Sequence, residues 1–208
     1  MGFYSKQIFP RMMDWALGNR AISRERAATL ELARGDVLEI GFGTGLNLPD
    51  YPPAVNTLTV IDPNLALADR VARRISEARI PVEQFELDAS GRLPFDDSSF
   101  DVVATTFTLC SIDDVSSALR EMRRVLRPDG QYLFLEHGRS DDSRVARLQN
   151  FLNPVQKLVA CGCNLNRPIE DLIRASGFCI VELSRFQMPD LPRFVGECYR
   201  GIARIDAC

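Results

Sequence analysis

The chain of 208 residues lacks a hydrophobic run long enough to cross a membrane. A membrane-spanning helix needs about 20 apolar residues in succession, and the longest apolar run, residues 102–112, contains several hydroxyl groups. The first residues include Lys6 and Arg11 and show no small-residue cleavage site after an apolar core, which argues against a secretory signal. We therefore expect a cytoplasmic protein, with peripheral contact at a membrane surface left open.

The chain also lacks an excess of positive charge and has only one histidine. It carries 25 Lys and Arg against 28 Asp and Glu, a net charge of -3. Such a balance gives no overall field for holding nucleic acid, so we expect no nucleic-acid partner. Residues 161–167, with Cys161 and Cys163, offer a zinc site as an alternative. Structural zinc prefers four ligands with cysteine spacings of about two to four residues, and a single histidine leaves too few partners, so we expect no metal site. In a cytosolic protein we expect six reduced thiols, at Cys110, Cys161, Cys163, Cys179, Cys198 and Cys208.

Short apolar, β-branched runs alternate with amphipathic helical stretches along most of the chain. This rhythm predicts an α/β fold, with a parallel sheet covered by helices on both faces. Predicted strands are 37–40, 57–61, 82–87, 100–106 and 132–136, and predicted helices are 23–33, 65–78 and 115–126, the last ended by a turn at 127–130. Beyond residue 138 we expect helices at 144–159 and 169–175 and a closing antiparallel pair of strands at 179–186 and 195–205.

The first twenty residues form a wide apolar helical surface that contains Pro10. This surface has three interpretations. It is a lid over a ligand pocket, a helix packed on the core, or a transient membrane-surface contact through residues 3–17. The lid is the interpretation that we favour.

Three alternating glycines follow the first predicted strand, at Gly41, Gly43 and Gly45. Open α/β sheets bind ligands at this position, and residues without a Cβ let a ligand lie against the backbone. The dinucleotide fingerprint would need a further glycine where Leu46 stands, and a Walker A loop would need a lysine after the last glycine. The loop is therefore not shaped for a pyrophosphate.

Three carboxylates lie at the carboxyl ends of consecutive predicted strands. Glu39 precedes the first glycine by two residues, and a negative charge there suits a cationic ligand and repels phosphate. Asp62 ends the second strand, where it can accept the hydroxyls of a ribose, and Asp88 follows the third, where it can accept an adenine amino group. Together they indicate a positively charged nucleoside, S-adenosylmethionine. The alternative is that Asp62 and Asp88 are turn and helix-cap residues.

Four segments resemble the class I S-adenosylmethionine-dependent methyltransferases: residues 38–45 (LEIGFGTG), 61–64 (IDPN), 93–101 (LPFDDSSFD) and 126–130 (LRPDG). The resemblance implies a Rossmann-like, mostly parallel sheet with an antiparallel closing strand. It also implies one domain over 1–208, with a lid helix at 1–20, a cofactor-binding core at 36–138 and the acceptor pocket at 139–208. Phe42 departs from the small residue that many members have. The implied cofactor-binding residues are Glu39, Gly41, Phe42, Gly43, Thr44, Gly45, Asn47, Asp62, Pro63, Asn64, Asp88, Ala89, Thr108 and Leu109.

Candidate catalytic groups lie at the ends of the fourth and fifth predicted strands. Methyl transfer from a sulfonium is an in-line displacement, so the protein has to orient the nucleophile and remove its proton. His137 is placed to accept that proton near neutral pH; the alternative is a structural histidine bonded to Glu136 or to a loop carbonyl. Cys110 is the second catalytic candidate.

Residues 108–111, 135–137 and 162–165 resemble the methyltransferase-like 7 thiol methyltransferases and bacterial phosphatidylethanolamine N-methyltransferases, and more distantly the quinone-biosynthesis C-methyltransferases. The resemblance implies a small-molecule or lipid head-group acceptor, and we favour S-methylation of a small apolar thiol. N-methylation of phosphatidylethanolamine at a membrane surface is the alternative. A nicotinamide-dependent oxidoreductase would share the sheet, but the chain lacks the third fingerprint glycine and a Tyr-x-x-x-Lys relay. A non-catalytic cofactor-binding protein is a further alternative.

Overall fold

The computed structural model describes residues 8–64, 67–189 and 191–205, in which seven strands form one sheet. The strands are β1 (Gly35–Ile40), β2 (Val55–Asp62), β3 (Val82–Glu86), β4 (Phe100–Thr106), β5 (Leu126–His137), β6 (Cys179–Gln187) and β7 (Glu197–Arg204). The helices are α1 (Phe9–Leu17), α2 (Arg20–Leu30), α3 (Ala68–Ser76), α4 (Val115–Val125), α5 (Ser143–Val159), α6 (Ile169–Ala175) and α7 (Arg193–Gly196), with a 3-10 turn at Leu48–Asp50.

The strand order is β3-β2-β1-β4-β5-β7-β6. Strands β1 to β5 pair in parallel, and β7 runs antiparallel to both β5 and β6. The predicted fold class, a mostly parallel α/β sheet closed by an antiparallel pair, is confirmed. The strand order changes direction between β1 and β4, and sheets of this kind bind ligands in the crevice at such a switch point.

Apolar layers cover both faces of the central strand β1. Val37 and Leu38 have no exposed surface, and because neighbouring side chains in a strand point to opposite faces, they belong to two separate clusters. Met122 of α4 packs in the Leu38 cluster, and Val71 of α3 packs in the Val37 cluster. Helices therefore lie on both faces, as the sequence predicts.

The carboxyl ends of the parallel strands meet at one edge of the sheet. Ile40 at the end of β1 pairs with Ile61 on β2 and with Thr105 on β4, and Thr106 pairs with Leu135 on β5. Because these strands run in the same direction, the loops that follow them converge at that edge. This edge carries the candidate site.

The segment 127–130 lies inside β5, so the prediction of a free turn after α4 is wrong. Leu126 already pairs with Phe100 on β4, and the next pair joins Val102 to Gln131. The residues between these two pairs, 127–130 on β5, form an irregularity in the hydrogen-bond ladder of β4 and β5. The helix nevertheless ends at Val125, close to the predicted position, because the strand pairing begins at the next residue.

Helix boundaries near the N-terminus differ from the predictions. The Asn19 side chain accepts a hydrogen bond from the Ile22 amide, so α2 begins three residues before the predicted start at 23. Pro10 lies in the first turn of α1, where proline is favoured, and does not interrupt the helix. Ile8 and Met12 are 47% and 45% exposed, so part of the predicted apolar surface faces outward. Residues 3–7 of that surface, and residues 65 and 66 of the predicted third helix, lie outside the described residues.

The predicted C-terminal elements are present, with one boundary shifted. Strand β7 begins at Glu197 after the short helix α7, whereas the sequence predicts a strand from 195. The α5 helix continues through Pro154. Over the described ranges, none of the helices has the length and apolarity needed to span a bilayer.

Cys179 is disulfide-bonded. The prediction that all six cysteines are reduced is therefore wrong at this residue. It rested on cellular redox conditions and composition, which carry no information about which sulfur atoms the fold brings together. Free thiols among the described residues are Cys110, Cys161, Cys163 and Cys198.

Candidate functional site

Gly41 opens the loop after β1 in a conformation that only glycine adopts easily. Its φ is +82°, and a Cβ built on it would lie 2.1 Å from Oγ1 of Thr108. The Gly41 amide donates to the Ile61 carbonyl at 2.9 Å. The loop is therefore held closely between β2 and the segment after β4.

Gly43 lies at the open side of the same loop. A Cβ on this residue would meet nothing within 4 Å, so the space beside it is free for a ligand. Its amide donates to Oδ2 of Asp62 at 2.8 Å, and Oδ1 of Asp62 accepts from the Asn64 amide at 2.8 Å. Burial raises the pKa of Asp62, and these two amides oppose the shift. Pro63, which lies between Asp62 and Asn64 in the sequence, is exposed.

Glu39 lies beneath the loop and is 1% exposed. Its Oε1 accepts from the Asn47 amide group at 2.9 Å, and its Oε2 accepts from the Tyr51 hydroxyl at 2.8 Å. Burial raises the pKa of Glu39 to about 8, although Tyr51, Asn47 and Arg26 oppose the shift. Asn47 also bonds to Thr106 at the end of β4. Glu39 thus positions the loop through Asn47. Its attraction for a cationic ligand stays a prediction.

The Phe42 side chain is buried in the core and is 3% exposed. It packs in the cluster that contains Leu48 and Tyr51, and a Cβ on Gly45 would come within 3.0 Å of its ring. The ring therefore supports the loop from beneath. Any contact of Phe42 with a cofactor would involve its backbone.

Thr44 links the glycine loop to α1. Its hydroxyl donates to Oδ1 of Asp14 at 2.5 Å, and Asp14 forms ion pairs with Arg70 and Arg74 of α3. Arg74 also donates to the Thr44 carbonyl at 2.7 Å. Helix α1 is therefore fixed against the loop, and its role as a lid stays a prediction.

Asp88 and Ala89 follow β3 at the same edge of the sheet. Asp88 is exposed, and its Oδ1 accepts from the Ser90 amide at 2.8 Å, which is the contact of a turn residue. Ala89 is 5% exposed and packs in the core. The turn role is therefore seen directly, and the predicted adenine role of this exposed carboxylate stays a prediction.

A carboxylate on β5 fixes the loop after β4. Oε2 of Glu136 accepts from the amides of Thr108 and Leu109 at 2.9 and 3.1 Å. The Thr108 hydroxyl lies 3.4 Å from the Gly41 carbonyl, so this loop contacts the glycine loop. The Leu109 side chain is fully buried, so its predicted part in cofactor binding would fall to its backbone.

Three potential ligand atoms come together next to this loop. Nε2 of His137 lies 2.9 Å from Sγ of Cys163, and Sγ of Cys163 lies 3.5 Å from Sγ of Cys110. All three atoms lie within 4.8 Å of one another. The two predicted catalytic residues, His137 and Cys110, thus share one cluster, which Cys163 completes. Burial lowers the pKa of His137, but Cys163 and Glu136 outweigh it and the net pKa is raised.

The segment 161–167 is fixed on this cluster by polar contacts. The backbone amide and the side-chain amide of Asn164 both donate to the Cys110 carbonyl at 2.9 Å. The Leu165 amide donates to Asn153 of α5 at 2.8 Å, and the Arg167 guanidinium donates to the Leu109 carbonyl. The ends of β4, β5 and α5 are therefore joined at the cluster.

Sequence reasoning missed Glu136, Tyr51 and Asp14 as site-forming residues. A signal existed for Glu136, because an acid inside an otherwise apolar strand has to find buried donors. Tyr51 and Asp14 gave no such signal, since their partners Glu39 and Thr44 are reached only through the folded chain.

Comparisons with known proteins agree with this geometry. A protein family described as "Methyltransferase domain" matches residues 38–134. Human thiol S-methyltransferase TMT1A is 36% identical over 156 residues, which cover 74% of this chain and 64% of the relative. The chain thus spans less than two thirds of that relative's length.

Two further comparisons extend this picture. Phosphatidylethanolamine N-methyltransferase from Cereibacter sphaeroides is 31% identical over 142 residues, covering 67% of this chain and 70% of the relative. The structure of 1,6-didemethyltoxoflavin-N1-methyltransferase from Burkholderia thailandensis, bound to its substrate and S-adenosylhomocysteine, superposes with a TM-score of 0.67 at 18% identity. That superposition covers 94% of this chain and 83% of the other and shows a shared fold.

Proposed function

Because the chain belongs to the class I S-adenosylmethionine-dependent methyltransferases, we propose that it transfers the methyl group to the sulfur of a small apolar thiol. S-adenosylmethionine is the cofactor of this family and of this enzyme. The acceptor and the roles of individual residues are the subject of the proposal.

The cofactor lies in the cleft beside the glycine loop. Its methionine part follows the backbone of Gly41, Gly43 and Gly45, where Gly43 leaves open space. The ribose hydroxyls bind Asp62, and the adenine lies beside Asp88 and Ala89. Backbone or side-chain contacts from neighbouring residues complete the site: Glu39, Phe42, Thr44, Asn47, Pro63, Asn64, Thr108 and Leu109.

The observation that carries the choice of a thiol is the cluster of Cys110, His137 and Cys163 beside the cofactor cleft. In the reaction a lone pair of the acceptor sulfur forms the new S–CH3 bond, and the electrons of the broken bond stay on the sulfur of S-adenosylhomocysteine. The acceptor must first lose its proton, because the thiolate is the nucleophile. An imidazole and polarisable sulfur atoms favour a thiolate over an amine.

The similarity to human thiol S-methyltransferase TMT1A supports the same choice. The separate match to the methyltransferase domain family, over residues 38–134, includes both the glycine loop and the segment after β4. Since the chain spans 64% of that relative's length, its acceptor has to be tested directly.

The test is a comparison of acceptors with S-adenosylmethionine labelled in the methyl group. We expect label in the thioether formed from a small apolar thiol, and none in matched amines and phenols. His137→Gln should lower turnover about a hundredfold or more while binding of S-adenosylhomocysteine persists. Cys161→Ser, a change of an exposed thiol outside the cluster, is the control. Label transfer to an amine in preference to the thiol would overturn the proposal.

A second candidate is N-methylation of a phospholipid amine, favoured by exposed apolar side chains on two helices beside the site. Trp15 of α1 is 82% exposed, and Phe151 and Leu158 of α5 are 79% and 81% exposed. Helix α1 contacts the glycine loop and α5 leads into the segment 161–167, so both helices flank the same edge. Helix α5 contains basic residues and no acidic ones, a composition that suits an anionic membrane surface.

Vesicle co-sedimentation separates the two candidates. If the lipid amine is the acceptor, the protein binds vesicles that contain phosphatidylethanolamine and anionic lipid, and the vesicles take up label. Phe151→Ser should then weaken binding, whereas Leu32→Ser, which changes an exposed residue after α2, should not. Vesicles that neither bind the protein nor take up label would exclude this candidate.

A further inference from the structure

We propose that Cys110, His137 and Cys163 form a binding site for Zn²⁺, with a fourth position open to the sulfur of the acceptor. The three-residue metal site stands on geometry alone. The identity of the fourth ligand rests on the proposed function.

The distances fit a tetrahedral zinc ion with small adjustments. Zn–S bonds of about 2.3 Å and Zn–N bonds of about 2.0–2.1 Å at tetrahedral angles place two sulfur ligands about 3.8 Å apart and a sulfur and a nitrogen about 3.6 Å apart. In the structure Sγ of Cys163 lies 3.5 Å from Sγ of Cys110 and 2.9 Å from Nε2 of His137. The Cys163 and His137 side chains must therefore separate by about 0.7 Å and the two cysteines by about 0.3 Å, and two side chains share each movement.

The ligands come from three separate segments that the fold holds in place. Cys110 follows β4, His137 ends β5, and Cys163 lies in the segment after α5. Two hydrogen bonds from Asn164 to the Cys110 carbonyl join the first and third segments without a metal. The expectation of no metal rested on the spacing of cysteines along the chain and on the single histidine, and neither shows that the fold brings together two cysteines 53 residues apart.

The surroundings balance the charge of such a centre. A dication with two thiolates is neutral, and the nearby Glu136 carboxylate and Arg167 guanidinium offset each other. Cys110 is 2% exposed, whereas His137 and Cys163 are partly exposed, so an ion can enter from the side of the last two residues. N and S donors are also the ligand types that zinc prefers.

Three protein ligands are typical of catalytic zinc, which keeps its fourth position for water or substrate. When zinc binds Nε2 of His137, the imidazole no longer accepts the proton, so an acceptor thiol at the fourth position loses its proton to solvent and becomes a zinc-bound thiolate. Its lone pair then forms the S–CH3 bond while the sulfonium C–S bond breaks toward S-adenosylhomocysteine. The neutral thioether is a weaker ligand, so it leaves and water returns.

Metal binding is measured on the full chain, after reduction and removal of metals with a chelator, and without any methyl acceptor. We expect one Zn²⁺ per chain by equilibrium dialysis, and with Co²⁺ as the probe we expect sulfur-to-cobalt charge-transfer absorption. Cys163→Ser and His137→Gln should each lower Zn²⁺ affinity roughly a hundredfold or more, since even loss of a residue that only supports a ligand costs 10–100-fold. Cys161→Ser, two residues from Cys163, should bind Zn²⁺ like the wild type.

Two results would overturn the site: no charge-transfer absorption with Co²⁺, or equal Zn²⁺ affinity in wild type and Cys163→Ser. Thermal unfolding and binding of S-adenosylhomocysteine show whether each variant is folded. Adding benzyl mercaptan to the Co²⁺ protein should intensify the absorption if the fourth position takes a thiol. If the protein binds Co²⁺ and the thiol does not change the absorption, the proposal of an acceptor sulfur as fourth ligand is wrong and the three-residue metal site stands. If the enzyme does not methylate thiols, the proposed function is wrong, and the metal-binding measurement is unaffected.

Discussion

The Asp14 carboxylate accepts a hydrogen bond from the Thr44 hydroxyl, and this contact joins the first helix of the described chain to the glycine loop. Arg70 and Arg74 of α3 bind the same carboxylate. One side chain therefore holds together three elements that surround the proposed cofactor cleft. Its removal should loosen α1 without disturbing the sheet.

We expect Asp14→Asn to lower the free energy of unfolding by about 1–2 kcal/mol, because charge-assisted bonds to partly exposed arginines are lost. It should also speed dissociation of S-adenosylhomocysteine if α1 is a lid. Urea unfolding and stopped-flow fluorescence of Trp15 measure the two effects. Asp69→Asn, which removes an exposed acid of α3, is the charge-matched control. Unchanged dissociation would reject the lid.

The stability that Asp14 contributes should depend on pH. Burial alone would raise its pKa, but Arg74, Thr44 and Arg70 outweigh burial and hold the pKa below 3.8. The contribution is therefore complete above pH 3.8 and is lost as the pH falls through the lower value of the folded state. Unfolding curves of wild type and Asp14→Asn should converge in strong acid. If the difference in free energy of unfolding between the two proteins stays constant down to strong acid, the Asp14 carboxylate does not contribute the stability assigned to it.

Two glycines of one loop should respond differently to the same substitution. In Gly41→Ala the new Cβ would lie 2.1 Å from Thr108, so we expect a loss of about 3 kcal/mol from overpacking and backbone strain together. In Gly43→Ala the new Cβ meets nothing within 4 Å, so we expect about 1–2 kcal/mol from backbone strain. Cofactor affinity should nevertheless fall in Gly43→Ala. Chemical denaturation measures the free energy of unfolding of the two variants, and calorimetry measures their affinity for S-adenosylhomocysteine. If Gly43→Ala binds with the affinity of the wild type, the cofactor does not lie against Gly43.

Asp62→Ala should lower affinity for S-adenosylhomocysteine by about 2–4 kcal/mol, because both ribose hydroxyls lose a charged acceptor. Isothermal calorimetry measures the loss. Glu86→Ala removes an exposed carboxylate at the end of β3, at the position that pairs with Asp62, and should bind normally. Equal losses in the two variants would show a general charge effect instead of a specific bond.

Cofactor binding should release a proton from Glu39. Burial raises its pKa to about 8, although Tyr51 and Asn47 oppose the shift. A sulfonium nearby favours the carboxylate, so affinity should rise with pH up to about 8 and then level off. Calorimetry in two buffers of different ionisation enthalpy counts the protons. Glu39→Gln should release fewer protons, and equal release would assign the proton to another group.

The fold could be predicted because its central strands are continuous apolar runs bounded by glycine, proline and aspartate. Strand β4 begins and ends at the predicted residues 100 and 106. The start of β5 at Leu126 could not be predicted, since it depends on pairing with Phe100. Likewise, nothing in the local sequence shows that α7 precedes β7 at Glu197.

The site could be predicted where a residue follows a strand directly. Glu39, Asp62 and His137 all lie at the edge that strand order dictates. Contacts between distant segments could not be predicted. Cys110 and Cys163 are 53 residues apart, and their approach depends on how α5 returns the chain to the end of β4.

Glu136 has a practical consequence for redesign of the enzyme. Because a single oxygen atom of its carboxylate accepts from the amides of Thr108 and Leu109, any exchange at that position would disturb the loop after β4 and, through Thr108, its contact with the glycine loop. Efforts to alter acceptor preference should therefore leave Glu136 unchanged.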